Sequence, residues 1–184
     1  MQHVAPVEVR VMRPEEWELA RMVCAGAFDE PGIAELLDTL RGSWSWEDDL
    51  AFVALRNDEV VGLVVFTHSF VDAPERVIDV LVLSPLGVRR DLQGQGIGDQ
   101  LVRAALASLA ATRHEPAVFL EGIPSYYPRF GFRPASQLGF TAPSTRIPDR
   151  AFMVYPLPAY DAGVRGALVY ADAFWRADAV GLRE

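Results

Sequence analysis

Gln93-Gly94-Gln95-Gly96-Ile97-Gly98 stands between two unlike stretches of chain. Before it, residues 77–83 form an almost continuous apolar run, which Ser84-Pro85 interrupts and Leu86-Gly87-Val88 resumes. Such a run fits a central strand covered on both faces, and the proline implies a bend or bulge within it. After the glycines, Ile97, Leu101, Ala104, Ala105 and Leu109 recur at helical spacing as far as Arg113, and residues 117–120 read as another buried strand. The unit is a strand, a glycine turn, a helix and a strand. A helix N-terminus leaves its first backbone amides unpaired and carries the positive end of the helix dipole, while glycines allow close approach to the main chain. Residues 93–98 are therefore suited to a phosphate.

Three phosphate-binding patterns compete for this turn, and spacing separates them. A Walker loop ends in Gly-Lys-Ser/Thr, but all 17 basic residues of this chain are arginine. The same absence removes Schiff-base chemistry on lysine. A dinucleotide fingerprint needs Gly-x-Gly-x-x-Gly/Ala, whereas Gly94-x-Gly96 leads to Asp99 and Gly96-x-Gly98 leads to Leu101. What remains is Gln/Arg-x-x-Gly-x-Gly/Ala, met by Gln93, Gly96 and Gly98.

Outward from the turn, residues 7–12 alternate in the strand manner, and Pro14-Glu15-Glu16 opens a helix that runs to about Phe28. Pro31 to Arg41 predicts a second, short helix with Ile33, Leu36, Leu37 and Leu40 on one face. Residues 51–55 and 60–66 flank the polar turn Arg56-Asn57-Asp58-Glu59 as a hairpin. The last third offers shorter strands, of which residues 151–155 are the clearest. A hairpin, an α/β crossover and late strands imply an α/β (α+β) domain with a mixed sheet. At 184 residues with no visible boundary, one domain over residues 1–184 is expected.

Hydrophobic residues at 51% and charged residues at 23% describe a globular chain rather than a disordered one. A net charge of −8 argues against nucleic acid and favours a neutral or cationic partner. No apolar run approaches the roughly 20 residues of a membrane span, so no membrane partner is expected and the cytoplasm is the default location. The single cysteine, Cys24, and the scattered His3, His68 and His114 give no metal-ligand spacing, so no metal is expected.

After the strand that follows the glycine turn comes Tyr126-Tyr127-Pro128-Arg129-Phe130-Gly131-Phe132. This segment resembles the Tyr-x-x-x-Gly-Phe motif of GNAT-superfamily N-acetyltransferases, and residues 93–98 resemble that family's coenzyme A pyrophosphate loop. The resemblance spans residues 7–157 or so, leaving 158–184 as a C-terminal strand and tail, and its wording is most similar to a bacterial group of predicted N-acetyltransferases. It implies the GNAT fold, with a mixed sheet of about six to seven strands, flanking helices and a splayed central strand. It also implies acetyl-CoA as co-substrate and a primary amine, on a small molecule or a protein, as acceptor.

By resemblance, the amides of Gln93, Gly94, Gln95, Gly96, Ile97 and Gly98 cradle the pyrophosphate, and the main chain of Leu86, Gly87 and Val88 pairs with the pantetheine amides. Arg89 is the side-chain candidate for a phosphate, with Arg90 beside it. Tyr127, four residues before Gly131, matches the family's general-acid tyrosine, and Tyr126 is expected to pack. Leu81 occupies the position where some members carry a glutamate base. Glu121, at the end of a strand, is the candidate in its place, ahead of His68, Glu75 or a water chain. Phe28, Trp44 and Trp46 fall where the family builds its acceptor pocket, with one tryptophan inward and the other packing. Dimers are frequent in the family, which makes residues 167–170 with Phe174 and Trp175 the candidate interface. The competing readings are a catalytically silent acyl-CoA-binding module and a structural domain without coenzyme.

Overall fold

The computed structural model describes residues 6–29 and 31–181. Strand β1 (Glu8–Val11) leads through a 3-10 turn at Pro14–Glu16 into α1 (Trp17–Gly26), and α2 (Ile33–Arg41) follows. The hairpin is β2 (Ala51–Arg56) and β3 (Glu59–Asp72), closed by Asn57 and Asp58 at φ 53° and 62°. Two consecutive left-handed residues are the tight turn whose twist matches a right-twisted hairpin. Strand β4 (Val77–Val88) then delivers the chain to the glycine loop and α3 (Ile97–Thr112), which returns it to β5 (Ala117–Glu121). Four short strands follow, β6 (Arg133–Pro134), β7 (Phe140–Thr141), β8 (Phe152–Pro156) and β9 (Gly166–Val169), and then α4 (Asp172–Arg176).

The sheet runs β1-β2-β3-β4-β5-β8-β6, seven strands in one path, with β4 and β5 parallel and its other neighbours antiparallel. The mixed sheet is the expected one, but two strands lie off this path. β9 pairs with Phe70–Asp72 at the far end of β3, beyond the reach of β2, and β7 pairs with β9. Alternation sorts the side chains into separate cores. Phe52, Phe66, Leu81, Val118 and Leu120 face α3, whereas Val53, Leu63 and Val65 face α1, and Val82 and Phe119 face the C-terminal elements. Leu81 is fully buried in the α3 core, so no base stands there. On α3 the buried residues are Ile97, Leu101, Val102, Ala105, Leu106 and Leu109, while Ala104, expected inside, is exposed.

Two features of β4 prepare the site. Val64 stands opposite Leu86 and Phe66 opposite Leu83, so Ser84 and Pro85 together face Val65 and form the bulge that the proline implied. β4 and β5 share only the pairs Leu81–Val118 and Val82–Phe119. Beyond Leu83 the strands part, and one edge of β4 is left without a strand partner.

Candidate active site

The gap between β4 and β5 opens into a cleft of about 750 Å³. Its lining draws on four parts of the chain: β4 from Leu83 through Leu86 and Val88, the loop from Leu92 to Asp99, the segment around Glu121 and Tyr127, and Phe28 with Ile33 at the junction of α1 and α2. Gln93, Gly94, Gly96, Ile97 and Gly98 are thus brought together with Leu86, Val88, Glu121 and Tyr127.

Gly94 and Gly96 adopt φ 74° and 79°, the left-handed region that glycine enters without steric cost, and a Cβ at either would meet open space. It is conformation that requires glycine here. Gly96 caps α3 through its carbonyl, which accepts from the amide of Gln100 at 3.1 Å, and no side chain caps the helix. The amides of Ile97, Gly98 and Asp99 have no carbonyl one turn back and face the cleft end of the helix. The side chain of Gln93 turns inward, its Nε2 donating to the Val88 carbonyl at 3.0 Å. That of Gln95 turns away, accepting from Arg56 at 2.8 Å.

The structure keeps two expected contacts out of the cleft. The Arg89 guanidinium is paired with Asp91, at 2.8 Å from Nε and 3.2 Å from Nη2, and with Glu59 at 3.3 Å, so its charge is held by carboxylates beside the loop. Gly87 faces α1, where a Cβ would come within 2.8 Å of the Cα, carbonyl oxygen and Sγ of Cys24.

Tyr127 sits on a 3-10 turn (Tyr127–Phe130) that follows β5, with its ring edge-on to Tyr126 at 5.1 Å and Phe132 at 5.7 Å. The ring lies so close to Gly122 that a Cβ there would collide with it. Burial pushes its phenol well above the usual tyrosine range, so it stays protonated at neutral pH. Tyr126, expected only to pack, carries its hydroxyl to the start of α3, where a Cβ on Gly98 would meet it at 2.8 Å. Burial, with the neighbouring Asp99 carboxylate, pushes its phenol up to about 12. Arg129 lies over the Tyr126 ring at 4.7 Å and 3.6 Å from Asp99, and it lines the cleft. The signal for this cluster was present in the motif, as its consecutive tyrosines stand three and four residues before Phe130, and both rings pack against it.

Glu121 ends β5, half-buried, and its Oε2 accepts from the Gly181 amide at 3.1 Å. Burial raises its carboxyl above the ordinary range, against the opposing pull of the Gly181 amide and Arg146. The other base candidates lie elsewhere. His68 is bound to Glu47 at 2.7 Å and stands 3.6 Å from Glu115, outside the cleft, and Glu75 is exposed in the β3–β4 connection. Neither tryptophan lines the cleft. Trp46 packs edge-on against Trp17 at 5.4 Å, Trp44 is 59% exposed, and Phe28 alone of the three expected aromatics reaches the cavity. Among the described residues no group of three or more His, Cys, Asp or Glu side chains is arranged to hold a metal, and no helix is long and apolar enough to cross a membrane.

Residues 47–134 match the acetyltransferase (GNAT) domain. An uncharacterized N-acetyltransferase of Escherichia coli K12, YjhQ, is 30% identical over 156 residues, covering 83% of this chain and 85% of that protein. A second from the same strain, YhbS, is 35% identical over 158 residues, 82% of this chain and 87% of that protein. The chain belongs to the GNAT acetyltransferase family. As a GNAT protein it is an acyltransferase, with the mixed sheet and flanking helices of that fold. The crystal structure of YhbS in complex with CoA superposes with a TM-score of 0.81 at 28% identity, covering 95% of this chain and 97% of the other. A GNAT acetyltransferase of Brucella melitensis in complex with acetyl-CoA gives 0.71 at 25% identity, covering 94% and 99%.

Proposed function

We propose that this GNAT protein transfers the acetyl group of acetyl-CoA directly to a primary amine within a ternary complex. The observation that carries the reading is the convergence, in one cleft, of the open edge of β4, the start of α3, which no side chain caps, and Tyr127. Amides from Gln93 to Gly98 suit a pyrophosphate, and the main chain of Leu86 and Val88, which line the cleft along the open edge of β4, suits the amides of a pantetheine arm. The CoA and acetyl-CoA complexes of YhbS and the Brucella protein support the same assignment.

Attack by the amine nitrogen on the thioester carbonyl carbon forms a C–N bond and places negative charge on the carbonyl oxygen. Collapse breaks the C–S bond, and the departing sulfur takes a proton from the Tyr127 phenol, which solvent then restores. The proton lost by the amine goes to the Glu121 carboxylate, directly or through water. Its raised pKa, caused first by burial, makes it a better acceptor than an ordinary glutamate. The Tyr126–Phe132 wording supports placing the chain in the bacterial group that shares it, and the net charge of −8 supports a cationic acceptor.

The test is release of free thiol from acetyl-CoA over a panel of amines that includes diamines, amino sugars and lysine peptides. Amine-dependent release supports the transferase. Binding of acetyl-CoA without release under any amine would favour a silent acyl-CoA-binding module instead.

A further inference from the structure

Arg90 stands beside the glycine loop, where a guanidinium suits a phosphate, yet its fork is already committed. Nε donates to the Gly26 carbonyl at 2.6 Å, Nη2 donates to the Phe28 carbonyl at 2.5 Å, and Nη1 meets Asp29 at 2.7 Å. These acceptors lie at the end of α1, where the last carbonyls of a helix have no partner of their own. Gln93 reaches the same segment from within the glycine loop, with Nε2 at 3.4 Å from the Ala27 carbonyl, while its shorter bond to Val88 ties it to β4. The segment so held includes Phe28, which lines the cleft together with the loop.

We propose that Arg90 is a positioning residue that clasps Gly26–Asp29 to the glycine loop, so that the cleft wall at Phe28 is set by the loop that receives the coenzyme. The proposal rests on the reading of the cleft as an acetyl-CoA site. A planar fork spanning two carbonyls and a carboxylate is geometry that guanidinium supplies and a single ammonium does not. Anchoring of residues 93–98 by a pyrophosphate therefore carries over to Gly26–Asp29. The donor binds and one wall of the acceptor side is fixed by the same event, which is a coupling between two parts of one site.

Hydrogen exchange measured by mass spectrometry on the full chain, R90Q and R90K, each with and without CoA, tests this, alongside CoA titration by calorimetry. The amides of Ala27 and Phe28, bonded to the Cys24 and Ala25 carbonyls, are the reporters. In the free protein they exchange at least about tenfold faster in both variants. CoA slows them in the unaltered protein and not in the variants, and the CoA dissociation constant changes by less than about threefold. Exchange that is the same in all three proteins overturns the clasp. So does a loss of CoA affinity of about tenfold or more in R90Q that R90K restores, the mark of a direct phosphate contact. Should CoA leave residues 93–98 unprotected in the unaltered protein, the coenzyme reading fails, while the free-protein comparison still decides the clasp.

Discussion

In the proposed mechanism Tyr127 and Glu121 act from opposite protonation states, and burial shifts both in the useful direction. It keeps the phenol protonated, and it raises the carboxyl above the ordinary glutamate range, which strengthens it as a proton acceptor. Replacing Tyr127 with Phe removes one oxygen and keeps the ring against Tyr126 and Phe132. We expect kcat to fall about 10²-fold or more, with the acetyl-CoA KM nearly unchanged, read from thiol release with the best amine of the panel. For Glu121 the base must be ionised, so kcat/KM falls as pH drops through its raised pKa. Glu121→Gln should lower the rate and remove that acidic limb, and a profile of unchanged shape in the variant would exclude Glu121 as the base. Gly87 has a different cause. A Cβ there would press on the main chain of Cys24, which cannot swing aside, so Gly87→Ala should cost about 1–3 kcal/mol, read as a lower Tm.

At the scale of elements, a polar cluster joins the segment before β2, the β3 strand and the connection that leaves α3 for β5. Arg113 holds Glu47 at 2.9 Å and Glu115 at 2.8 Å, and Glu47 also meets His68 at 2.7 Å. Hydrogen bonds first from Arg113 and then from His68 bring the Glu47 carboxyl down to about 2. A depressed carboxylate adds stability above its unfolded pKa and loses it as pH falls toward the folded one. Melting temperature should therefore decline between about pH 4.5 and 2, and Glu47→Gln should flatten that decline. The effect is a few degrees at most, because the Glu47 side chain is 42% exposed and solvent screens it. None of this was visible in the chain, since Glu47, His68 and Arg113 are far apart in sequence and neighbours only through the sheet. The glycine turn was legible for the opposite reason. Its conformation and its ligand depend on residues 93–98 themselves, whereas the fate of Arg89 and Arg90 was settled by Glu59 and by residues 26–29.

For the whole molecule, strands β1 to β5 and β8 could be read from the sequence, whereas the pairing of the C-terminal strands could not. Residues 167–170 with Phe174 and Trp175 are the candidate interface by family resemblance, because dimers are frequent there. Instead Leu168, Tyr170 and Phe174 are buried in this chain's own second core, 5% exposed or less, and β9 closes against β3 and β7. Trp175, at 40% exposure, lies on the surface, and Ala167 and Val169 are half-buried. Ligand linkage acts at this scale too. Acetyl-CoA at about a hundred times its dissociation constant should add about 2.7 kcal/mol, a rise of roughly 5–10 °C in Tm for a domain of this size. Pantetheine, which lacks the phosphates, should give less at equal concentration, and the same rise for both would remove the phosphate from the account.

Only two rungs join β4 to β5. A donor lying along the free edge would take the place of the missing rungs, so that the sheet is continuous across the cleft when loaded and interrupted there when empty.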